Sequence, residues 1–248
     1  MELDRIIAVR NNKTIYRDGD RVYKVFDRNY SKADVLNEAL NQARVEETGL
    51  CIPKILEVMM IDGKWTIVSE YIEGKTLSRL MKENPEKKDE YIEMLADLQL
   101  QVHLKKCGEL LRLKDKMNRK ICDTELPATV RYGLHARLEE LPVHDKLCHG
   151  DFYPSNIIIK PDGTPCFIDW AHATQGSASA DAAKTFLLFR LHGDIEGADK
   201  YLDLFCEKSD TEKEYVHKWI PIVAASLIVK GNEAEREFFQ KCVDAFDY

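Results

Sequence analysis

The chain reads as an α+β protein with a small, antiparallel, strand-rich N-terminal lobe and a larger, mostly helical C-terminal lobe. Three observations predict this. Short runs of alternating or β-branched apolar residues crowd into the first 73 residues. Beyond residue 85, longer stretches carry apolar residues at helical spacing. Set into that helical region is one strand–turn–strand pattern, residues 157–159 and 165–168 about Pro161-Asp162-Gly163. We expect one domain of two lobes, residues 1–73 and 74–248, without repeats or flexible linkers.

In the first lobe, residues 6–9 and 14–17 are strand candidates. Asp18-Gly19 marks a tight hairpin turn into a third strand at 21–26. The two-residue strand period puts Val22, Lys24 and Phe26 on one face, where an ammonium among apolar neighbours is costly unless paired. Ser31, with Asp34 three residues on, is an N-cap signal for a helix from Lys32 to about Glu47, ending near Gly49. Val35, Ala39 and Ala43 fall near one face of it, with Glu38 beside them. Strands at 55–60 and 65–71 follow, joined by Asp62-Gly63-Lys64, and the pattern breaks at Gly74.

In the second lobe, Pro85 opens a helical segment to about Lys106, with Tyr91, Leu95, Leu98 and Val102 on one side. Further helices are expected at 128–141, 178–192, 195–206, 211–229 and 232–245.

Composition narrows the function classes. Of 248 residues, 44% are apolar and 32% charged, as in a folded soluble protein. The net charge of −7 disfavours nucleic acid as a partner. No apolar run approaches a bilayer span, so no membrane partner is expected. Met1-Glu2-Leu3-Asp4-Arg5 lacks a basic segment followed by an apolar one, so no signal peptide is expected. Seven scattered cysteines without a Cys-x-x-Cys pair argue against a disulfide framework or a zinc site and for a cytoplasmic location.

The most informative stretch is His149-Gly150-Asp151-Phe152-Tyr153-Pro154-Ser155-Asn156, followed after the hairpin by Ile168-Asp169-Trp170. One carboxylate of this set can orient or deprotonate a hydroxyl. An Asn and a second Asp, brought together by the hairpin, can hold Mg²⁺ on nucleotide phosphates. Phosphoryl transfer asks a protein mainly for such positioning and charge neutralisation.

The segment resembles the catalytic loop of the aminoglycoside phosphotransferase and choline kinase family, which shares the protein kinase-like fold. That family shows His-Gly-Asp, four residues, Asn, and later an Asp, matched here by His149, Gly150, Asp151, Asn156 and Asp169. The resemblance implies that Asp151 is the catalytic base and that Asn156 and Asp169 are Mg²⁺ ligands. It implies that Lys24 contacts the phosphates of ATP or GTP and that Glu38 holds Lys24, with Glu46 or Glu47 as the fallback partner. Glu70 and Ile72 are expected to meet the adenine edge through their backbone, in a cleft between the lobes. His149 and Asp181 are expected to be structural, the first orienting the loop, the second capping a helix or bracing the loop. By residue pattern alone, taken singly, Lys24 reads better as a snorkelling edge-strand lysine and Glu38 as one of many surface acids.

One departure stands out. Where protein kinases carry a glycine-rich phosphate loop, this chain reads Arg10-Asn11-Asn12-Lys13, with no glycine. The expected activity is transfer of a nucleotide γ-phosphoryl group to an alcohol hydroxyl of a small acceptor. The acids Asp194, Glu196, Asp199, Asp203, Glu207 and Asp210 make a cationic acceptor such as an aminoglycoside or aminoalcohol plausible, although such acids commonly form a solvated helix face. The alternatives are a catalytically weak nucleotide-binding module and a protein kinase. The second is disfavoured because only residues 170–180 separate Asp169 from Asp181, too few for a long activation segment.

Overall fold

The computed structural model describes residues 5–10, 12–229 and 231–245; Asn11 of the expected phosphate loop and residues 1–4 lie outside them. In chain order the first elements are β1 (Arg5–Arg10), β2 (Lys13–Asp18), β3 (Arg21–Phe26), α1 (Lys32–Glu46), β4 (Ile55–Ile61) and β5 (Lys64–Glu70). Then come β6 (Lys75–Thr76), α2 (Leu77–Glu83), α3 (Lys88–His103), α4 (Leu113–Cys122), α5 (Ala128–Glu140) and β7 (Lys146–Cys148). The chain continues through β8 (Ile157–Ile159), β9 (Pro165–Phe167), β10 (Thr174–Gly176), α6 (Ala178–Leu191) and α7 (Ile195–Ser209). It finishes with α8 (Lys213–His217), α9 (Ile220–Ile228) and α10 (Glu233–Asp244).

These elements form two compact units. One holds the residues up to Glu83 together with Pro154–Ala173; the other holds Asn84–Tyr153 and the residues from Thr174 onward. This division differs from the expected boundary after residue 73. The β8–β9 hairpin groups with the strand-rich unit because β8 pairs with β6, Lys75 opposite Ile159 and Thr76 opposite Ile158.

In the first unit an antiparallel sheet runs in the order β1-β2-β3-β5-β4. The alternation of β3 sorts its residues. Tyr23 and Val25 pack with Ile61 and Val68 on one face, while Phe26 packs on the other with Ile67 and with Val35 and Ala39 of α1. Lys24 shares the Phe26 face and so lies beneath α1. The Ser31 hydroxyl caps α1 by accepting from the Ala33 N–H at 3.2 Å. The buried residues of α1 are Val35, Glu38, Ala39, Asn41, Gln42 and Val45; Ala43, expected near that face, is exposed.

The hairpin register sets Ile157 opposite Phe167, and the Ile168 N–H donates to the Asn156 carbonyl at 3.0 Å. Next to it the Phe167 N–H donates to the Cys51 carbonyl at 2.9 Å, and Cys51 and Cys166 are joined in a disulfide across 115 residues of sequence. The expectation of no disulfide is thereby corrected. Spacing along the chain carries no signal for two cysteines that a sheet edge brings together.

The second unit is built on helices α3 to α10 and the antiparallel pair β7–β10. Helix α9 is apolar on every side and packs against α4, α5, α6, α8 and α10, with Ile222, Val223, Ala224 and Ala225 fully buried. The expected helix at 211–229 is two, α8 and α9, with Pro221 in the first turn of α9. Likewise Pro85–Lys87 form a 3₁₀ turn before α3. Helices α2 and α4 were not anticipated; α4 does carry an apolar stripe, Leu113, Met117 and Ile121, within a charged segment. Among the described residues no helix is long and apolar enough to cross a membrane.

Gly74 has φ +155°, and a Cβ there would lie 2.4 Å from the Ile159 carbonyl oxygen. Gly74→Ala is therefore expected to destabilise the protein by ~2 kcal/mol or more, against about 1 kcal/mol for a glycine limited by backbone angle alone. The comparison is Gly19→Ala, since Gly19 has φ +57° and open space around it. Calorimetric melting of both variants checks the ranking, and equal Tm losses would contradict it.

Candidate active site

In the first unit two lysines and two acids meet on one face of the sheet. The Lys24 ammonium donates to Glu38 Oε1 at 2.6 Å and lies 3.4 Å from Asp169 Oδ1. Lys13 lies 3.4 Å from Asp169 Oδ2 and 3.6 Å from Glu38 Oε1. Side-chain exposure is 16% for Lys24 and 6% for Glu38, so these charges are largely withdrawn from water. Burial pushes the Lys24 ammonium pKa down, but the charges of Asp169 and Glu38 outweigh it and raise it well above its ordinary value. Glu38 is the partner of Lys24; the fallback Glu46 instead accepts from the Ile55 N–H at 2.8 Å.

Asp169 follows β9 with φ +65° and ψ +61°, a left-handed conformation uncommon for a non-glycine residue. The turn after it is pinned from both sides. The Asn41 amide on α1 donates to the Ala171 carbonyl at 3.3 Å, and the buried Trp170 indole donates to the Phe167 carbonyl at 3.1 Å. Since Glu38 and Asn41 lie one turn apart on α1, one helix face sets both the Lys24 partner and the Asp169 turn. At the end of β5, the Glu70 N–H donates to the Lys54 carbonyl at 3.0 Å and is thereby occupied.

In the second unit, helix α6 holds the loop of His149, Gly150 and Asp151. Asp181 is buried and receives the Gly150 N–H at 2.7 Å on Oδ1 and the His149 N–H at 3.1 Å on Oδ2. On Oδ2 it also receives the Gln99 amide at 3.2 Å and faces His103 Nε2 at 3.1 Å. Burial pushes the Asp181 carboxyl pKa up, yet the His103 and His149 rings and the Gly150 N–H pull it down to about 2. One turn along, the Thr185 hydroxyl donates to the Phe152 carbonyl at 2.8 Å. His149 is fully buried, and its Nδ1 accepts the Asp151 N–H at 3.2 Å, which assigns the ring proton to Nε2. His103, Cys148 and Asp181 offer ligand atoms within 4.8 Å of one another. With four donors already on the Asp181 oxygens, this cluster is a hydrogen-bond node.

The sequence model of the phosphotransferase enzyme family matches residues 9–216. The chain belongs to that family. None of the curated protein sequences matches it. Among solved structures, it is similar to a thermostable mutant of aminoglycoside phosphotransferase APH(4)-Ia in its apo form. That likeness has a TM-score of 0.72 at 14% identity and covers 97% of this chain and 92% of the other. It is also similar to a choline/ethanolamine kinase family protein from Mesorhizobium loti, with TM-score 0.64, 14% identity, and 100% and 89% covered. Choline kinase LicA from Streptococcus pneumoniae matches at TM-score 0.62 and 18% identity, with 98% and 92% covered. The APH(4)-Ia enzyme has also been determined in a ternary complex with AMP-PNP and hygromycin B. At these identities the likeness establishes the protein kinase-like α+β fold.

For a phosphotransferase, three well-placed residues escaped sequence reasoning. Lys13 sits two positions before Ile15, the residue paired with Lys24, and so shares its face; the strand period was a usable signal. Lys184 lies one helical turn after Asp181 and reaches the same loop, with its Nζ 3.0 Å from Asp151 Oδ1. His103, one turn after Gln99 on α3, meets Asp181 of α6, a contact with no local sequence signal.

The depressed Asp181 pKa couples the loop to pH. A carboxyl held at about 2 in the folded state, against roughly 4 unfolded, contributes on the order of 2 kcal/mol above pH 4 and loses it as the pH falls toward 2. Asp181→Asn should therefore melt earlier than the native chain at pH 7, with the gap narrowing as the pH is lowered from 4 to 2. A pH-independent gap in Tm contradicts this account.

Proposed function

We propose that this phosphotransferase moves the γ-phosphoryl group of ATP or GTP to a hydroxyl of a small-molecule alcohol. The observation that carries the reading is the Lys24–Glu38 ion pair with Asp169 beside it, in a family member whose loop bears Asp151. Support for a nucleotide also comes from the AMP-PNP bound to the APH(4)-Ia neighbour. Lys24 binds phosphate oxygens, Glu38 keeps that ammonium in place, and the carbonyl of Glu70 with the backbone of Ile72 meets the base.

Asn156 and Asp169 fit Mg²⁺ as hard oxygen donors on neighbouring ends of one hairpin. The two Asp169 oxygens each face an ammonium here, so the carboxylate is already arranged to hold positive charge. When bound, Mg²⁺ would offset charge on the β- and γ-phosphates.

In the step itself, Asp151 accepts the proton of the acceptor hydroxyl as that oxygen forms its bond to the γ-phosphorus. The bond from the γ-phosphorus to the β–γ bridging oxygen breaks, and its electron pair leaves on the nucleoside diphosphate. His149 and Asp181 act through the loop backbone, whose N–H groups they hold.

On the acceptor, three of the six acids of the acidic run already face cations of the chain. Asp194 is paired with Lys88 at 2.7 Å and caps α7, Asp199 lies 3.6 Å from Arg190, and Asp203 pairs with Lys213. The aminoglycoside or aminoalcohol class rests on the hygromycin B and choline kinase neighbours alone. We place the reaction in the cytoplasm, where nucleotide and Mg²⁺ are supplied.

A screen of alcohol metabolites and aminoglycosides with coupled detection of ADP or GDP tests the reading. Asp151→Asn is expected to lower turnover on the best acceptor about 10²–10⁴-fold with nucleotide Kd unchanged. Asp169→Ala should weaken nucleotide binding only when Mg²⁺ is present. Full turnover by the first variant, or superimposable Mg²⁺ titrations for the second, would remove the corresponding role.

Lys24→Ala should raise the nucleotide KM, lower kcat, or both, and Glu38→Ala should do so less. Because Glu38 also lies within reach of Lys13, the double variant should lose slightly more than Lys24→Ala, and far less than the sum. Strictly additive losses in steady-state kinetics would mean that Glu38 does not work through these lysines.

A further inference from the structure

Helix α6 reaches the loop with three side chains on one face, and they do different things. Asp181 receives the N–H groups of His149 and Gly150, and Thr185 donates to the Phe152 carbonyl, so both grip only backbone. Lys184 grips backbone and side chain together. Its ammonium donates to the Gly150 carbonyl and lies 3.0 Å from Asp151 Oδ1. The Lys184 side chain is only 12% exposed. A lysine held in such a place gives up the hydration of its charge, and an apolar residue would cover the same surface without that cost. What an apolar residue could not supply is a cation against one chosen carboxylate oxygen.

We propose that Lys184 is a positioning residue for Asp151, which rests on reading Asp151 as the base. The ammonium fixes the direction of the carboxylate by holding Oδ1 and locks the loop backbone at Gly150 in the same contact. An ion-paired carboxylate is a weaker proton acceptor but a better oriented one. That suits a loose transition state, in which the acceptor proton moves late and geometry dominates. In the transfer step Lys184 forms and breaks no bond and keeps its protons. The acceptor proton goes to Asp151, the acceptor oxygen bonds the γ-phosphorus, and the bridging oxygen leaves with its electron pair.

The test compares Lys184→Met, Lys184→Arg, Asp151→Asn and the Asp151→Asn/Lys184→Met double variant, on the acceptor giving the fastest ADP or GDP release in the screen. Lys184→Met is expected to lower kcat about 10- to 100-fold while the nucleotide KM stays within about twofold. Lys184→Arg should recover most of that loss, since a guanidinium can pair the same oxygen. In the Asp151→Asn background, Lys184→Met should change the residual rate less than about threefold, because its action runs through the missing carboxylate. An equal loss in both backgrounds would make Lys184 a brace of the loop and overturn the proposal. Wild-type kcat in Lys184→Met, with Asp151→Asn inactive, overturns it alone. Retained turnover in Asp151→Asn overturns the base assignment itself. Should Lys184→Met fail to fold by thermal melting, Lys184→Gln carries the same comparisons.

Discussion

A charge removed from water must be matched within a few ångströms, and the Lys24 ammonium imposes that rule on the first unit. Placed by strand alternation on the face beneath α1, it needs a carboxylate from that helix, and Glu38 supplies one at 2.6 Å. Its second neighbour, Asp169, comes from a hairpin more than a hundred residues away in sequence. The β6–β8 pairing, the Cys51–Cys166 link and the Asn41 contact to Ala171 all serve to set that hairpin against the strand-rich unit. Remove the ammonium, and Glu38 keeps only Lys13, 3.6 Å away, as a counter-charge, and Asp169 loses one of the two cations beside it.

The second unit obeys the same rule with the sign reversed. Asp181 is a buried carboxylate, and its solvation is replaced by two loop N–H groups, the Gln99 amide and the His103 ring. Neutralising one buried anion thus orders the residues around Asp151. Lys184 extends the arrangement by one helical turn, from the backbone of the loop to its acid side chain. Rigid elements hold the charged groups in each unit: a helix holds the loop, and a sheet holds Lys13 and Lys24. That is how a site keeps its geometry when the reaction itself supplies little binding force.

The missing glycine-rich loop acquires a meaning from this arrangement. A glycine loop holds phosphates through backbone N–H groups; here a second lysine, Lys13, stands next to Lys24 at the start of β2. The acidic run of α7 shows the opposite lesson. Read as sequence it suggested a cationic acceptor, yet three of its six acids, Asp194, Asp199 and Asp203, are occupied in capping α7 or in pairing with Lys88, Arg190 and Lys213. Composition counts charges; only the folded chain shows which of them already have partners.

By itself the sequence determined strands β1 to β5, the N-cap of α1 and the spacing of His149, Asp151, Asn156 and Asp169 on either side of a hairpin. Each of these depends on neighbours within a few residues, through the two-residue strand period, a capping hydroxyl or a turn. The Lys24–Glu38 pair came from the family resemblance: strand face and helix position are local, but which acid meets the lysine is not. Tertiary structure alone decided the grouping of the β8–β9 hairpin with the first unit, the Cys51–Cys166 link, the division of residues 211–229 into two helices and the reach of Lys184. Such contacts join residues far apart along the chain, and no local pattern encodes a distance that only packing brings to zero.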